Sequence, residues 1–144
     1  MAPTRRHVIG LAAVLAGSLL VASCDSAESS VSEEKPIVVE ETSDSEIWRL
    51  SLSESAARRL DIQTTTVELD GEGYVVPSAA VIIDPTGAYW VYTSPEPLVF
   101  VRHEIRPVWE EGGQAFFDHG PPEGTSVVIT GVPELYGAEF GIGK

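Results

Sequence analysis

Residues 80–106 read AVIIDPTGAYWVYTSPEPLVFVRHEIR, and this stretch decides the fold. Ala80–Ile83 and Ala88–Thr93 are dense in β-branched and aromatic residues, which suit a pleated, half-buried surface. Between them, Asp84-Pro85-Thr86-Gly87 has the order of a tight turn. Asp can bond its own backbone, Pro arrives with φ preset, and Gly closes where a left-handed residue is needed. Ser94-Pro95-Glu96-Pro97 is read as a second turn, since two residues without an amide hydrogen stop strand pairing. Leu98–Arg106 then alternates, with Val99, Val101, His103 and Ile105 on one face and Leu98, Phe100, Arg102, Glu104 and Arg106 on the other. The result is an antiparallel meander whose apolar side the rest of the chain must cover.

Towards the N-terminus, Trp48, Leu50 and Leu52 alternate with Arg49 and Ser51 as a half-buried strand. Ser53 can cap a short helix from Glu54 to Leu60, with Arg58 and Arg59 near the end where the helix dipole favours cations. Ile62–Leu69 is a second β-branched run, Asp70-Gly71-Glu72-Gly73 turns the chain, and Tyr74–Val76 resumes until Pro77 marks a sheet edge. Towards the C-terminus, Pro107–Trp109 extends the meander. Glu110–Gly113 turns, Gln114–Asp118 returns, and Thr125–Thr130 reads as a buried strand. Gly131–Lys144 holds four glycines and is expected to run irregular. Short strands between Gly/Pro turns predict an all-β domain with one short helix, a small β-barrel or β-roll of antiparallel meander strands over residues 46–144.

The N-terminal part is read as accessory to that domain. Residues 1–23 have the form of a lipoprotein signal peptide: Arg5-Arg6-His7, an apolar run of 16 residues from Val8 to Ser23, and Val21-Ala22-Ser23 before Cys24. Sixteen residues fall short of the roughly 20 that span a bilayer, so a cleaved signal is favoured over a permanent helix. Cys24, the single cysteine, can form no internal disulfide, and lipid attachment accounts for an odd thiol in an exported protein. Residues 24–45 are Ser-rich and acidic, a disordered tether rather than an added edge strand at Pro36–Glu40. Its 21 residues after Cys24 would give a reach of about 25 Å.

Nine Lys/Arg stand against 22 Asp/Glu, a formal charge of −13. Loss of residues 1–23 removes Arg5 and Arg6 and no acid, taking the charge to −15. With no basic stripe to neutralise phosphates, nucleic acid is excluded as a partner.

These segments, taken in order, resemble the membrane-proximal domain of periplasmic adaptor subunits (membrane fusion proteins) of tripartite efflux pumps. The resemblance rests on Val76-Pro77, Ala80-Val81, Asp84, Gly87, Trp90 and Val91, then on Phe100, Arg102 and Ile105. It continues through Gly120, Gly124, Val127-Val128, Gly131 and Leu135, with LSLSESAARRLDIQTTTV at residues 50–67 as the opening strand, helix and strand; Asp61 stands where that family often has Gly. In full-length adaptors a barrel, a lipoyl-like domain and an α-hairpin separate the two halves, and here only residues 70–73 occupy that place. The resemblance implies a solitary, lipid-anchored module on the extracytoplasmic face of the cell membrane, docking on or accessory to an inner-membrane transporter.

Catalytic or metal chemistry has little to stand on. His103 and His119 lie in no zinc- or copper-ligand spacing, and each is read as a surface or turn residue. No nucleophile–base pair is visible, and the glycines cradle no phosphate. No catalytic, cofactor-binding or metal residue is therefore assigned, and no cofactor is expected; the chain is read as non-enzymatic. Loose calcium binding at Asp70/Glu72 or Glu110/Glu111 lacks the spacing of a calcium loop. Trp90, Tyr92, Phe100 and Trp109 are read as core, with Tyr89 or Trp109 marking a docking patch if exposed beside other apolar residues. The competing expectation is an extracytoplasmic lipoprotein that binds a small ligand or metal in a cleft.

Overall fold

The structure is a computed structural model and describes residues 35–43, 47–71 and 73–142. The segment read as a signal peptide, Cys24 and most of the segment read as a tether lie outside the described residues. Strands β1 (Ile37–Glu41), β2 (Trp48–Leu52), β3 (Gln63–Thr66), β4 (Glu68–Asp70), β5 (Gly73–Pro77), β6 (Val81–Ile83), β7 (Tyr89–Glu96), β8 (Val99–Glu111), β9 (Gln114–His119) and β10 (Ser126–Thr130) form one antiparallel sheet. Helix α1 (Glu54–Arg59) follows β2, and helix α2 (Val132–Glu139) follows β10. The described residues are mostly antiparallel sheet, curled into a half-barrel.

The spine is β8, 13 residues long. Its first half pairs with β7 on one side and β2 on the other; its second half pairs with β9. Register shifts at Pro107, which lacks an amide hydrogen, separate the two halves and bend the strand. The main path of the sheet runs β3-β10-β7-β8-β9-β5-β4. Its two ends, β3 and β4, are consecutive in the chain and meet at Val67, which is buried. Val67 donates its amide to the Thr125 carbonyl and accepts from Gly124, so the backbone at the seam is not left unpaired.

Both faces of the curled sheet are covered, which explains runs such as Tyr89–Tyr92 and Val127–Val128 that do not alternate with polar residues. Val91, Ile105, Val127, Ala115 and Phe117 point inward and pack with Val67, Val76 and Ala80. Their chain neighbours Tyr92 and Val128 point outward, where Leu50, Leu52 and Phe100 join them under Ala56 of α1 and Val132 and Leu135 of α2. One sheet thus builds two cores, one on each face.

Four expectations are corrected. Ile37–Glu41 is not tether but a strand, in register with β2 from Ile37↔Leu52 to Glu41↔Trp48. Ile37 packs on the helix-side core, and the β-branched run covers an edge of β2 that would otherwise be open. Pairing does not stop at Pro95: a register shift absorbs it, and Glu96 pairs again with Val99. The turn is the two residues Pro97 and Leu98, with Leu98 in the left-handed region at φ 61°. The run Ile62–Leu69 is not one strand but two, split at the seam residue Val67.

The C-terminal segment is not irregular either. Gly131 (φ 85°) precedes α2, Pro133 sits in its first turn, and Gly141 (φ 65°) ends it. The amides of Gly141 and Ile142 return to the carbonyls of Ala138 and Gly137, the double bond pattern of a left-handed helix stop. Helix α1 ends the same way: Asp61 takes φ 49°, and the Asp61 and Ile62 amides bond Arg58 and Ala57. Its start follows the expectation, with Ser53 Oγ accepting from the Ala56 amide.

Candidate functional site

Along the helix-side face of the sheet, buried residues give way to a half-open groove beside the C-terminal end of α2. The floor comes from strand alternation. Trp90 and Glu104 are register partners, as are Tyr92 and Arg102, and Trp48 enters from β2 on the face that carries Leu50. One wall is the β6–β7 turn at Asp84–Ala88. The other is α2 and its stop, through Tyr136, Phe140 and Ile142. The enclosed space is about 740 Å³.

A buried polar network lies under this floor. Arg102 Nε donates to Glu139 Oε1 at 3.1 Å, and both side chains are almost wholly buried. Tyr92 Oη donates to the other carboxylate oxygen, Glu139 Oε2. The Arg102 guanidinium lies over two rings, 4.1 Å from the Trp90 centroid and 5.1 Å from that of Phe140. Each charge is thereby given a partner that water would otherwise supply. Burial raises the Glu139 pKa, against the pull of Tyr92 and Arg102. Burial, then the hydrogen bond to Glu139, pushes the Tyr92 hydroxyl far above the usual tyrosine range.

At the wall, Asp84 organises its own turn. Oδ1 accepts from the Thr86 amide and hydroxyl and from the Ala88 amide, while Oδ2 accepts from Trp90 Nε1 at 3.0 Å. These bonds, the Thr86 hydroxyl foremost, hold its pKa at about 2. The sequence reading of a self-bonded Asp turn stands, and the structure adds that the same carboxylate orients the indole of Trp90.

The other singled-out residues are dispersed. His103 is exposed on β8; partial burial lowers its pKa, followed by the nearby charge of His119. Among the described residues no group of three or more His, Cys, Asp and Glu side chains converges on a point. Glu110 and Glu111 are exposed at the end of β8. Tyr92 and Phe100 are core, as expected. Trp109 is not: it is 49% exposed and stacked on Phe116, with centroids 4.6 Å apart. From sequence alone Arg102 reads as one charge on an alternating strand, and Glu139 falls in a glycine-rich segment expected to be irregular, so neither signals a site. The legible signals were Arg102 on the same face as Phe100, and Pro133 and Gly141 bracketing a helix.

Comparison with protein-family models, with curated proteins and with solved structures found no match.

Proposed function

We propose that this chain is an exported, non-enzymatic module, lipid-anchored at Cys24, that docks on or is accessory to an inner-membrane exporter. The role is taken from its motif order, which resembles the membrane-proximal domain of an efflux-pump adaptor. The observation that carries the reading is the weaving of residues 48–70 into the sheet: β2 pairs with β8, β3 with β10 and β4 with β5. The reading needs both halves of the motif pattern in one domain, and a separate packing of the early segment would have removed its basis. It also needs the chain to close directly where adaptors carry inserted domains. Asp70 and Gly73 are register partners at the end of the β4–β5 hairpin, so a very short loop suffices and costs little closure entropy. The deciding experiment is crosslinking in native membranes followed by gentle solubilisation. Co-purification with a transporter supports the role; recovery of the lipoprotein alone counts against it.

The groove of about 740 Å³ beside α2 favours a second reading, an extracytoplasmic small-ligand binder. A thermal-shift panel separates the two, because a ligand at 100 times its dissociation constant adds about 2.7 kcal/mol.

A further inference from the structure

Three large apolar side chains next to α2 face solvent: Ile83 (58% exposed), Phe140 (46%) and Ile142 (67%). They belong to one surface. The groove described above shares Tyr136 with a second hollow of about 520 Å³, between β6 and the start of α2. That hollow shares Pro133 with a third, which in turn shares Ile142 with the first. Apolar surface therefore continues around the outward side of the helix, and a solvent-exposed apolar face of this kind marks a contact site.

Its charge is one-sided. The walls of these hollows carry the carboxylates of Asp84, Glu104 and Glu134. Their single basic side chain among the described residues is Arg102, which is buried and bonded to Glu139. The Asp84 carboxylate, with its pKa held at about 2, stays negative at any ordinary pH. A second copy laid face to face would bring these acids against their own kind, and an anionic lipid surface would be repelled. A protein segment that combines apolar anchors with Lys or Arg complements both properties.

We infer that the α2 surface is the docking face of this module and that its occupant is an apolar, Lys/Arg-bearing segment of a partner protein. This rests on the docking role proposed above. Phe140 and Ile142 supply the anchoring contacts, and Glu104 and Glu134 set the register through the partner's cations.

The test uses the full chain and two synthetic amphipathic peptides, one of Leu, Phe and Lys and the other with Glu in place of Lys, followed by amide NMR shifts. The basic peptide should perturb Ile83, Glu104 and residues 133–142, and bind at least about tenfold more tightly than the acidic one. Ile142→Lys and Glu104→Lys, both at exposed positions, should each weaken the basic peptide by about threefold or more. The double variant Phe140→Ser/Ile142→Ser should weaken it by at least about tenfold. Five results would overturn the inference: equal binding of both peptides, no binding of either, shifts centred on Trp109 and Phe116, dimerisation through α2, or tighter binding to anionic phospholipid vesicles than to the basic peptide. A photo-crosslinker at position 142 or 109, in host membranes, separates this inference from the docking role. Capture of a transporter from position 109 alone sinks the α2 face and leaves the role standing. Capture from neither position, with the peptide still mapping to α2, removes the role and retains the surface.

Discussion

Arg102 Nε and Glu139 Oε1 stand 3.1 Å apart although 37 residues separate them in the chain, and both are buried. That pair, with Tyr92 on the second carboxylate oxygen, seats the last turn of α2 on β7 and β8. Removing one partner leaves the other charged and dry, which costs more than the intact pair contributes.

Glu139→Ala is therefore expected to destabilise the fold by about 3–5 kcal/mol, read by urea unfolding. The double replacement Arg102→Met/Glu139→Leu should recover much of that loss, since it leaves no buried charge. Equal losses in the single and double variants would show that the pair is not what seats the helix.

Asp84 predicts an acid limb. Its folded pKa is lowered from 3.8 to about 2, chiefly by the Thr86 hydroxyl, so its contribution is present above pH 3.8 and is lost as pH falls through 2. Glu139 acts with the opposite sign: its raised pKa favours the folded state below the ordinary glutamate range, and that gain fades as pH rises through its folded pKa. Chemical unfolding between pH 4 and pH 2 should give a shallower fall in stability for Asp84→Asn than for the parent chain. Indole fluorescence of Trp90 should shift in the same variant, because its Nε1–H loses the carboxylate.

Two left-handed positions, Asp61 at the end of α1 and Gly131 just before α2, differ in a testable way. Asp61 holds a left-handed φ of 49° with a Cβ present, so Asp61→Gly should stabilise by up to about 1 kcal/mol, and Asp61→Val should cost about 1–2 kcal/mol. At Gly131, φ is 85° and an added Cβ would overlap the Ile62 side chain. Gly131→Ala should cost at least about 1–2 kcal/mol in the same unfolding assay.

Cys24→Ser tests the anchor. The variant should move from the membrane to the soluble extracytoplasmic fraction and lose the acyl mass on intact-protein mass spectrometry. Unchanged membrane partition would remove lipid attachment as the cause.

The stacked pair Trp109–Phe116 has centroids 4.6 Å apart and planes 12° from parallel. A double-mutant cycle to alanine should return a coupling of about 0.5–1.5 kcal/mol. A coupling near zero would mean that exposure has cancelled the stack.

Local chemistry alone was enough for the meander of β6, β7 and β8, the Asp84 turn, the Ser53 cap and the all-β class. Each depends on residues within a few positions of one another, whose backbone preferences act before any tertiary contact forms. The inclusion of Ile37–Glu41, the face-to-face use of Tyr92 and Val91 in two different cores, and the whole Tyr92–Arg102–Glu139 network needed the fold. Ile37–Glu41 starts β-branched but sits among Ser-rich, acidic neighbours, and it becomes a strand only because β2 offers an edge to pair with. Glu139 reads as one more surface acid until α2 carries it 47 residues back onto Tyr92. Long-range burial sets the worth of a charge or a strand edge, and spacing along a chain does not encode which distant surface will exclude the water.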